Sequence, residues 1–235
     1  MRKISLKLSL VFIFVFLALN AAGTVLSAKT GFAYSGQVPL LLAFSAFLLF
    51  YIEKNKLRGL AGLTKISKRD CSANLFYIPL VILVLANGVF FFDKTTDFLS
   101  VLMVIAFMAC IAFLEELLFR GLLFKAIEQR RNAKTAVLIS GISFGFGHIV
   151  NLLNGYTDTR QIIQITIAVL IGLVLSLLFV RTKSIVPGII FHFFFNIASA
   201  LSRDVKPLQN YTMVGIIIVT SSAYLAYLAK NIRHS

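Results

Sequence analysis

The chain has 235 residues, of which 59% are hydrophobic and 14% are charged, and its mean hydropathy is +0.91. A soluble domain averages about 45–50% apolar and about 25% charged residues, so this composition excludes an ordinary soluble protein. The formal net charge of +14 raises the question of nucleic-acid binding. The basic residues lie in clusters between long apolar runs, however, as they do in membrane proteins. We therefore expect the lipid bilayer, and not a nucleic acid, as a partner.

Apolar runs recur along the whole chain, and each is close to the roughly 20 residues that an α-helix needs to cross a bilayer. The sequence therefore predicts an all-α, polytopic membrane helix bundle of about eight transmembrane helices. The first run is long for the hydrophobic region of a signal peptide, so we expect it to be retained as a helix. In chain order, the predicted spans are 8–28, 36–52, 74–92, 98–124, 135–153, 161–180, 185–202 and 210–229.

Basic residues fall mainly on one side of these spans. Of the 23 Lys and Arg, 17 lie at the chain ends or in every second gap, five lie in the other gaps, and Arg120 lies within a span. Because basic loops stay in the cytoplasm, both chain termini are expected to be cytoplasmic. The cytoplasmic set is Arg2, Lys3, Lys7, Lys54, Lys56, Arg58, Lys65, Lys68, Arg69, Lys125, Arg130, Arg131, Lys134, Arg181, Lys183, Lys230 and Arg233, and the other set is Lys29, Lys94, Arg160, Arg203 and Lys206.

Five ionisable residues lie inside the predicted spans, where each costs about 2.5–3.5 kcal/mol at the helix centre. Counted at about 1.5 Å per residue, Glu115 lies about 15 Å from the cytoplasmic face at Lys125. His192 lies about 13 Å from the same face at Lys183, and His148 lies about 20 Å from it. These similar depths predict one shared site that opens towards the cytoplasm. The five residues are Glu115, Glu116, Arg120, His148 and His192.

The spacing of the charged residues in the fourth span predicts an ion pair. Glu116 and Arg120 are four residues apart, which places them on the same face of a helix with the glutamate on the favourable N-terminal side. We expect this pair to be structural, which leaves Glu115 free to act in chemistry.

Polar side chains also share a helix face in two later spans. Phe144 and His148 are four residues apart, as are His192 and Asn196. The small residues Gly141 and Gly145 let a neighbouring backbone approach closely. This approach is expected to bring His148 within reach of the glutamates.

A carboxylate, two imidazoles and an amide in a partly dry pocket suit the hydrolysis of an acyl bond. In this interpretation Glu115 takes a proton from water and His148 orients that water or shares the proton. His192 and Asn196 donate hydrogen bonds to the developing oxyanion.

A metal-dependent mechanism is the rival hypothesis. His148, His192 and Glu115 make a two-histidine, one-carboxylate set that suits a divalent metal such as zinc with a bound water. The chain has no H-E-x-x-H sequence, so the usual single-helix zinc geometry is missing. The residues leave both a metal and no cofactor open, with a slight preference for metal-free water activation. A serine nucleophile is disfavoured, because Ser140 and Ser143 are expected to bond to the preceding turn.

Three short motifs resemble those of a known family. The sequence EELLFR at 115–120 resembles an EExxxR motif, FGFGH at 144–148 an FxxxH motif, and HFFFN at 192–196 an HxxxN motif. All three, in this order, are similar to the motifs of the CPBP family of CAAX-protease and bacteriocin-processing intramembrane endopeptidases, also called the abortive-infection family. The resemblance covers about residues 97–202.

The resemblance implies a membrane protease related to the type II CAAX prenyl endopeptidase, acting on a membrane-associated peptide or protein. It implies a multi-pass protein of a bacterial plasma membrane, and many family members are named metalloproteases. The chain is then divided into three spans at 1–96 with a cytoplasmic loop at 53–73, a catalytic helical core at 97–202, and a last helix with a basic tail at 203–235. The implied catalytic residues are Glu115, Glu116, His148, His192 and Asn196, supported by Arg120 and Phe144.

Two other functional classes fit parts of this pattern. A non-catalytic peptide-binding or bacteriocin-immunity membrane protein would use the same groove and the same residues. A proton-coupled transporter would use Glu and His as a proton relay, but it predicts an internal repeat and paired broken helices, and the sequence contains neither pattern.

Overall fold

The computed structural model describes residues 3–66, 74–88, 97–149, 159–202 and 207–232. Within these ranges the chain forms eight helices, one for each predicted span, which confirms the all-α class and the membrane helix bundle. The helices are α1 Leu6–Thr30, α2 Gln37–Lys54, α3 Asn74–Ala86, α4 Phe98–Glu128, α5 Ala133–Phe146, α6 Thr159–Thr182, α7 Val186–Ala200 and α8 Pro207–Ile232.

Five of these helices contain a stretch that is long and apolar enough to cross a membrane. They are α1, α2, α4, α6 and α8, whereas α3, α5 and α7 are shorter apolar helices. Helix α3 ends at Ala86, before Gly88 with its φ of +112°. Helix α5 ends at Phe146 and is followed by a 3-10 turn over Gly147–Ile149. Both helices therefore end earlier than the predicted spans, and 89–92 and 150–153 lie outside the described residues.

The helices alternate in direction, so that two sets of connections lie at opposite ends of the bundle. One end, termed the basic end, is joined by backbone hydrogen bonds such as that from Ile185 N to Gly62 O at 2.9 Å. At the other end, termed the opposite end, Ser202 Oγ donates to Gly88 O at 2.6 Å. The basic end comprises residues 3–5, 55–66, 129–132 and 183–185, and the opposite end comprises 31–36, 87–88, 147–149 and 201–202.

Several predicted loop positions cannot be assigned to either end, because they lie outside the described residues. They are Arg2, Lys68, Arg69, Lys94, Arg203, Lys206 and Arg233.

Glycines bring helices α5 and α6 into close contact. A Cβ atom added to Gly141 would lie 2.9 Å from the Leu173 nitrogen, and one added to Gly145 would lie 2.9 Å from the Val169 nitrogen. The small-residue pattern therefore does allow a close backbone approach, as predicted. The partner is α6, however, and not the glutamate-bearing helix α4, so the expected role of these glycines in bringing His148 to the glutamates is wrong.

Helix α4 changes its hydrogen-bonding pattern where the site begins. It starts at an Asp97 N-cap, whose side chain accepts a hydrogen bond from the Ser100 nitrogen at 3.0 Å. It is α-helical over Phe98–Glu115 and π-helical over Glu116–Phe124, and all residues of the π-helical stretch are buried. π-Helical turns are rare and often occur at functional sites.

Candidate active site

The two neighbouring carboxylates of α4 lie in different environments. Glu116 Oε1 accepts a hydrogen bond from Arg120 Nη1 at 2.8 Å, and the two side chains are 1% and 0% exposed. The Glu115 side chain is 15% exposed and contacts His192. The structure thus contains the Glu116–Arg120 pair and leaves Glu115 outside it.

Arg120 is held from three sides. Besides the Glu116 carboxylate, its Nη2 donates to the Gly172 carbonyl of α6 at 3.1 Å. Its guanidinium carbon lies 4.4 Å from the centroid of the Phe144 ring on α5, a cation–π distance. A single buried cation therefore ties α4 to both α5 and α6.

His192 on α7 lies between the two glutamates. Its Nε2 is 3.4 Å from Glu115 Oε2, and its Nδ1 is 3.4 Å from Glu116 Oε1. Both distances fall within ion-pair range, but Nδ1 is buried without an aligned hydrogen-bond acceptor. Helix α7 can approach α4 this closely because Gly188, one turn before His192, faces the Glu116 carboxylate without a side chain.

The Phe144 ring contacts both histidines. Its centroid lies 5.6 Å from that of His148 and 5.5 Å from that of His192, with steep interplanar angles of 61° and 73°. His148 is in the 3-10 turn after α5, and its Nδ1 lies 3.4 Å from the Phe144 carbonyl. Phe144 is therefore a wall that both imidazoles share.

A cavity of about 540 Å³ connects these groups. Phe144, His148, His192 and Asn196 all line it, and Glu115 adjoins it through its contact with His192. The structure thus brings Glu115, Glu116 and His192 into direct contact and places His148 and Asn196 on the same cavity.

The cavity does not open in the predicted direction. Helices α5 and α7 run away from the basic end. The lining residues of α5 lie at its last turn and just beyond it, and those of α7 run from His192 in its middle to Ser199 in its last turn. Helices α6 and α8 run back, and their lining residues begin near their N-terminal ends, at Ile163 and Asn210. The expected opening towards the basic end is therefore wrong, because depth along each helix does not tell at which end neighbouring helices diverge.

A metal site was one of the expectations for these residues. Among the described ranges, no group of three His, Cys, Asp or Glu side chains is arranged to hold a metal ion. Glu115 and His192 are in contact, whereas His148 contacts the Phe144 ring. The three donors of the predicted set do not converge, so we derive no chemical step through a metal.

Sequence reasoning missed several polar residues of the cavity. Three carboxamides, Asn87 after α3, Gln164 on α6 and Asn210 on α8, line it together with Ser199 and Tyr211. Their signal in the sequence is weak, because uncharged polar residues are common near the ends of membrane spans. Asn87 and Asn210 also lie outside 97–202, so helices that flank the motif-bearing segment contribute to the site.

The hydroxyl of Ser140, an alternative nucleophile, is already engaged in a hydrogen bond. This hydroxyl is buried and donates to the Phe119 carbonyl of α4 at 2.8 Å, across the helix interface instead of to the preceding turn. Ser140 therefore joins α5 to the π-helical stretch of α4.

Comparison with known proteins relates the motif-bearing segment to one protein family. No curated protein is found to be similar to the chain. The model of one protein family, described as type II CAAX prenyl endopeptidase Rce1-like, matches residues 97–198, which include all three motifs. This is a family of membrane proteases, and the chain is accordingly an integral membrane protein. Over residues 97–198 the chain therefore matches the model of the Rce1-like type II CAAX prenyl endopeptidase family.

Proposed function

We propose that this protein is an intramembrane endopeptidase that hydrolyses a peptide bond of a membrane-associated peptide or protein. The observation that carries the proposal is the position of His192, which lies 3.4 Å from each of two glutamates at a cavity that His148 and Asn196 also line. An acid–base pair beside a cavity with further hydrogen-bond donors is what water-mediated acyl hydrolysis requires.

The reaction begins with a water molecule at Glu115 and His192. Glu115 takes one proton of this water as the oxygen attacks the carbonyl carbon of the scissile bond. His148, which lines the same cavity as His192, orients the water. The 3.4 Å spacing between His192 Nε2 and Glu115 Oε2 is at the long limit of a hydrogen bond, and such contacts commonly tighten when substrate binds.

The tetrahedral intermediate then breaks down. Its oxyanion accepts hydrogen bonds from His192 and from Asn196, one helical turn further along α7. The C–N bond breaks, and the proton held by Glu115 passes to the leaving amine. Glu116 and Arg120 do not exchange protons with the substrate, and Glu116 lies 3.4 Å from His192 Nδ1, the ring nitrogen that is not paired with Glu115.

The proposed steps use no metal. The basis is the arrangement of the donors, since no group of three His, Cys, Asp or Glu side chains in the described ranges is arranged to hold a metal ion. Glu115 and His192, which are in contact, instead activate water directly in this proposal.

The test compares new N termini of membrane and secreted proteins in cells that express the wild type, Glu115→Gln or Glu53→Gln. Glu53 is a matched control, because it is an exposed glutamate at the end of α2 that pairs with Arg58. We expect a set of cleavages with the wild type and with Glu53→Gln that disappears with Glu115→Gln.

Folding of each variant is checked by thermal unfolding in detergent, so that a lost activity is not mistaken for a lost fold. Identical new N termini with the wild type and with folded Glu115→Gln protein would contradict the proposal. A peptide that the wild type binds but does not cleave would support a non-catalytic immunity or peptide-binding protein instead.

A further inference from the structure

The polar lining of the cavity extends well beyond the three motifs. Asn87, Gln164 and Asn210 come from three different helices or helix ends and line the cavity, and Asn87 Nδ2 donates to the Phe195 carbonyl at 2.7 Å. A carboxamide has both donors and acceptors, which match the N–H and C=O groups of an extended peptide backbone. Among the described lining residues, the groups that ionise near neutral pH are the two histidines, so this lining suits an uncharged stretch of polypeptide.

Exposure increases along the cavity from the histidine to the carboxamides. His192 is 5% exposed, whereas Gln164, Ser199 and Asn210 are exposed. His192 therefore lies at the floor of the cavity, and the last three residues lie at its rim. This rim is at the opposite end of the bundle, where α7 finishes and where α6 and α8 begin.

The basic end of the site is closed by backbone packing. The Gly62 carbonyl accepts a hydrogen bond from Ile185 N at 2.9 Å, and Ser184 Oγ donates to the Thr64 carbonyl at 2.6 Å. A Cβ atom added to Gly121 of α4 would lie only 2.9 Å from the Ala61 carbonyl oxygen. The loop after α2, which is part of the basic end, thus lies directly against α4 and the start of α7.

The distribution of charge assigns these two ends to the two sides of the membrane. The connections at the basic end belong to the set that contains 17 of the 23 Lys and Arg, and such loops remain in the cytoplasm. The rim of the cavity then lies on the other side of the membrane.

We propose that the active site takes its substrate from the non-cytoplasmic side, as an extended and uncharged polypeptide stretch whose backbone is bound by Asn87, Gln164 and Asn210. The substrate class is therefore a polypeptide that has already been moved across the membrane, and translocation must precede cleavage. The binding role of the carboxamides rests on the proposed endopeptidase function, whereas the direction in which the cavity opens does not.

Cysteine labelling tests the direction without any need for activity. Cys71 and Cys110 are first replaced by alanine, and Ser199→Cys, Asn210→Cys or Arg58→Cys is then introduced singly. Arg58 is an exposed residue in the loop at the basic end, so it reports on the cytoplasmic side. A membrane-impermeant maleimide is applied to intact cells of a host without an outer membrane, and to the same cells after permeabilisation.

We expect the Ser199→Cys and Asn210→Cys proteins to be labelled in intact cells, and the Arg58→Cys protein to be labelled only after permeabilisation. The reverse pattern would overturn the proposal, as would labelling of all three positions from the same side. Thermal unfolding of each purified protein confirms that the labelled species is folded.

Kinetics test the carboxamides, with a peptide that spans a cleavage site found by the comparison of new N termini. Asn210→Ala and Gln164→Ala are each expected to raise KM about tenfold and to change kcat less than about twofold, since one hydrogen bond to the substrate is lost. Asn55→Ala is the control, because Asn55 is an exposed carboxamide at the basic end. An unchanged KM for both cavity variants would overturn the binding role. Failure to find any cleavage would count against the endopeptidase function and leave the labelling result standing.

Discussion

Gly188→Ala adds one methyl group to α7 beside Glu116, and we expect this methyl group to disturb the site. The added Cβ would lie 2.6 Å from Glu116 Oε2 and 3.1 Å from Glu116 Cδ. An ordinary C···O contact is about 3.3 Å or longer, so the oxygen or helix α7 has to move by about 0.7 Å. A flexible glutamate would move freely, but this carboxylate is buried and bonded to Arg120 at 2.8 Å.

Two effects follow from a shift of this size. Overpacking of a well-packed interior costs about 1–3 kcal/mol, so the protein should unfold at a lower temperature. A misplacement of about 1 Å in a catalytic site can lower the rate about 100-fold, and we therefore expect cleavage to fall about 10- to 100-fold. Both quantities are measured on detergent-purified protein, by thermal unfolding and by cleavage of the identified peptide.

Gly215→Ala on α8 is the matched control. No heavy atom lies within 4 Å of the Cβ added there, and alanine is the better helix former by about 1 kcal/mol. It should therefore keep wild-type activity and unfold at the same or a higher temperature. A Gly188→Ala protein with wild-type stability and rate would refute the view that Glu116 is held rigidly. A loss of stability with an unchanged rate would refute the link between Glu116 and the chemistry.

Three further outcomes are expected. Arg120→Lys keeps the charge but loses the planar group that bonds to Gly172 and stacks on Phe144, so it should destabilise the protein by about 1–3 kcal/mol in detergent unfolding. An unfolding temperature equal to that of the wild type would contradict this. Ser140→Ala removes the hydrogen bond to the Phe119 carbonyl and should cost about 0.5–1.5 kcal/mol while peptide cleavage continues, whereas loss of cleavage by a folded variant would revive a serine mechanism. Treatment with a chelator, together with metal analysis, should leave cleavage within about twofold, and activity that is lost and then restored by zinc would overturn the metal-free steps.

The helices and the core of the site are predictable because membranes impose strong rules on sequence. A span needs about 20 apolar residues, so the number and order of the helices follow directly from the hydropathy. Ionisable residues are costly inside spans, which singles out Glu115, Glu116, Arg120, His148 and His192 among the few charged groups there. The four-residue spacing of Glu116 and Arg120 is enough to predict their contact.

Other features depend on how the helices pack, which local sequence does not determine. The stretch ELLFRGLLF at 116–124 consists of ordinary helix formers around one glycine, and nothing in it distinguishes a π-helix from an α-helix. Gly141 and Gly145 predict a close neighbour but do not say which helix it is. Asn87 and Asn210 lie more than a hundred residues apart and line the same cavity only because α3 and α8 both border it.

The π-helical stretch of α4 has a consequence for reading related sequences. An α-helix turns by about 100° per residue. One residue lost or gained within a helix therefore rotates the preceding part of the helix relative to the following part by that angle. Glu115 and Glu116 are at the start of this wider stretch, and the turn over Lys125–Glu128 is anchored beyond it. A homologue that retains every motif residue but has one residue fewer between 117 and 124 is therefore expected to direct its carboxylates away from α7. Intact motifs are then no guarantee of an active protein, and the length of chain that follows them has to be counted as well.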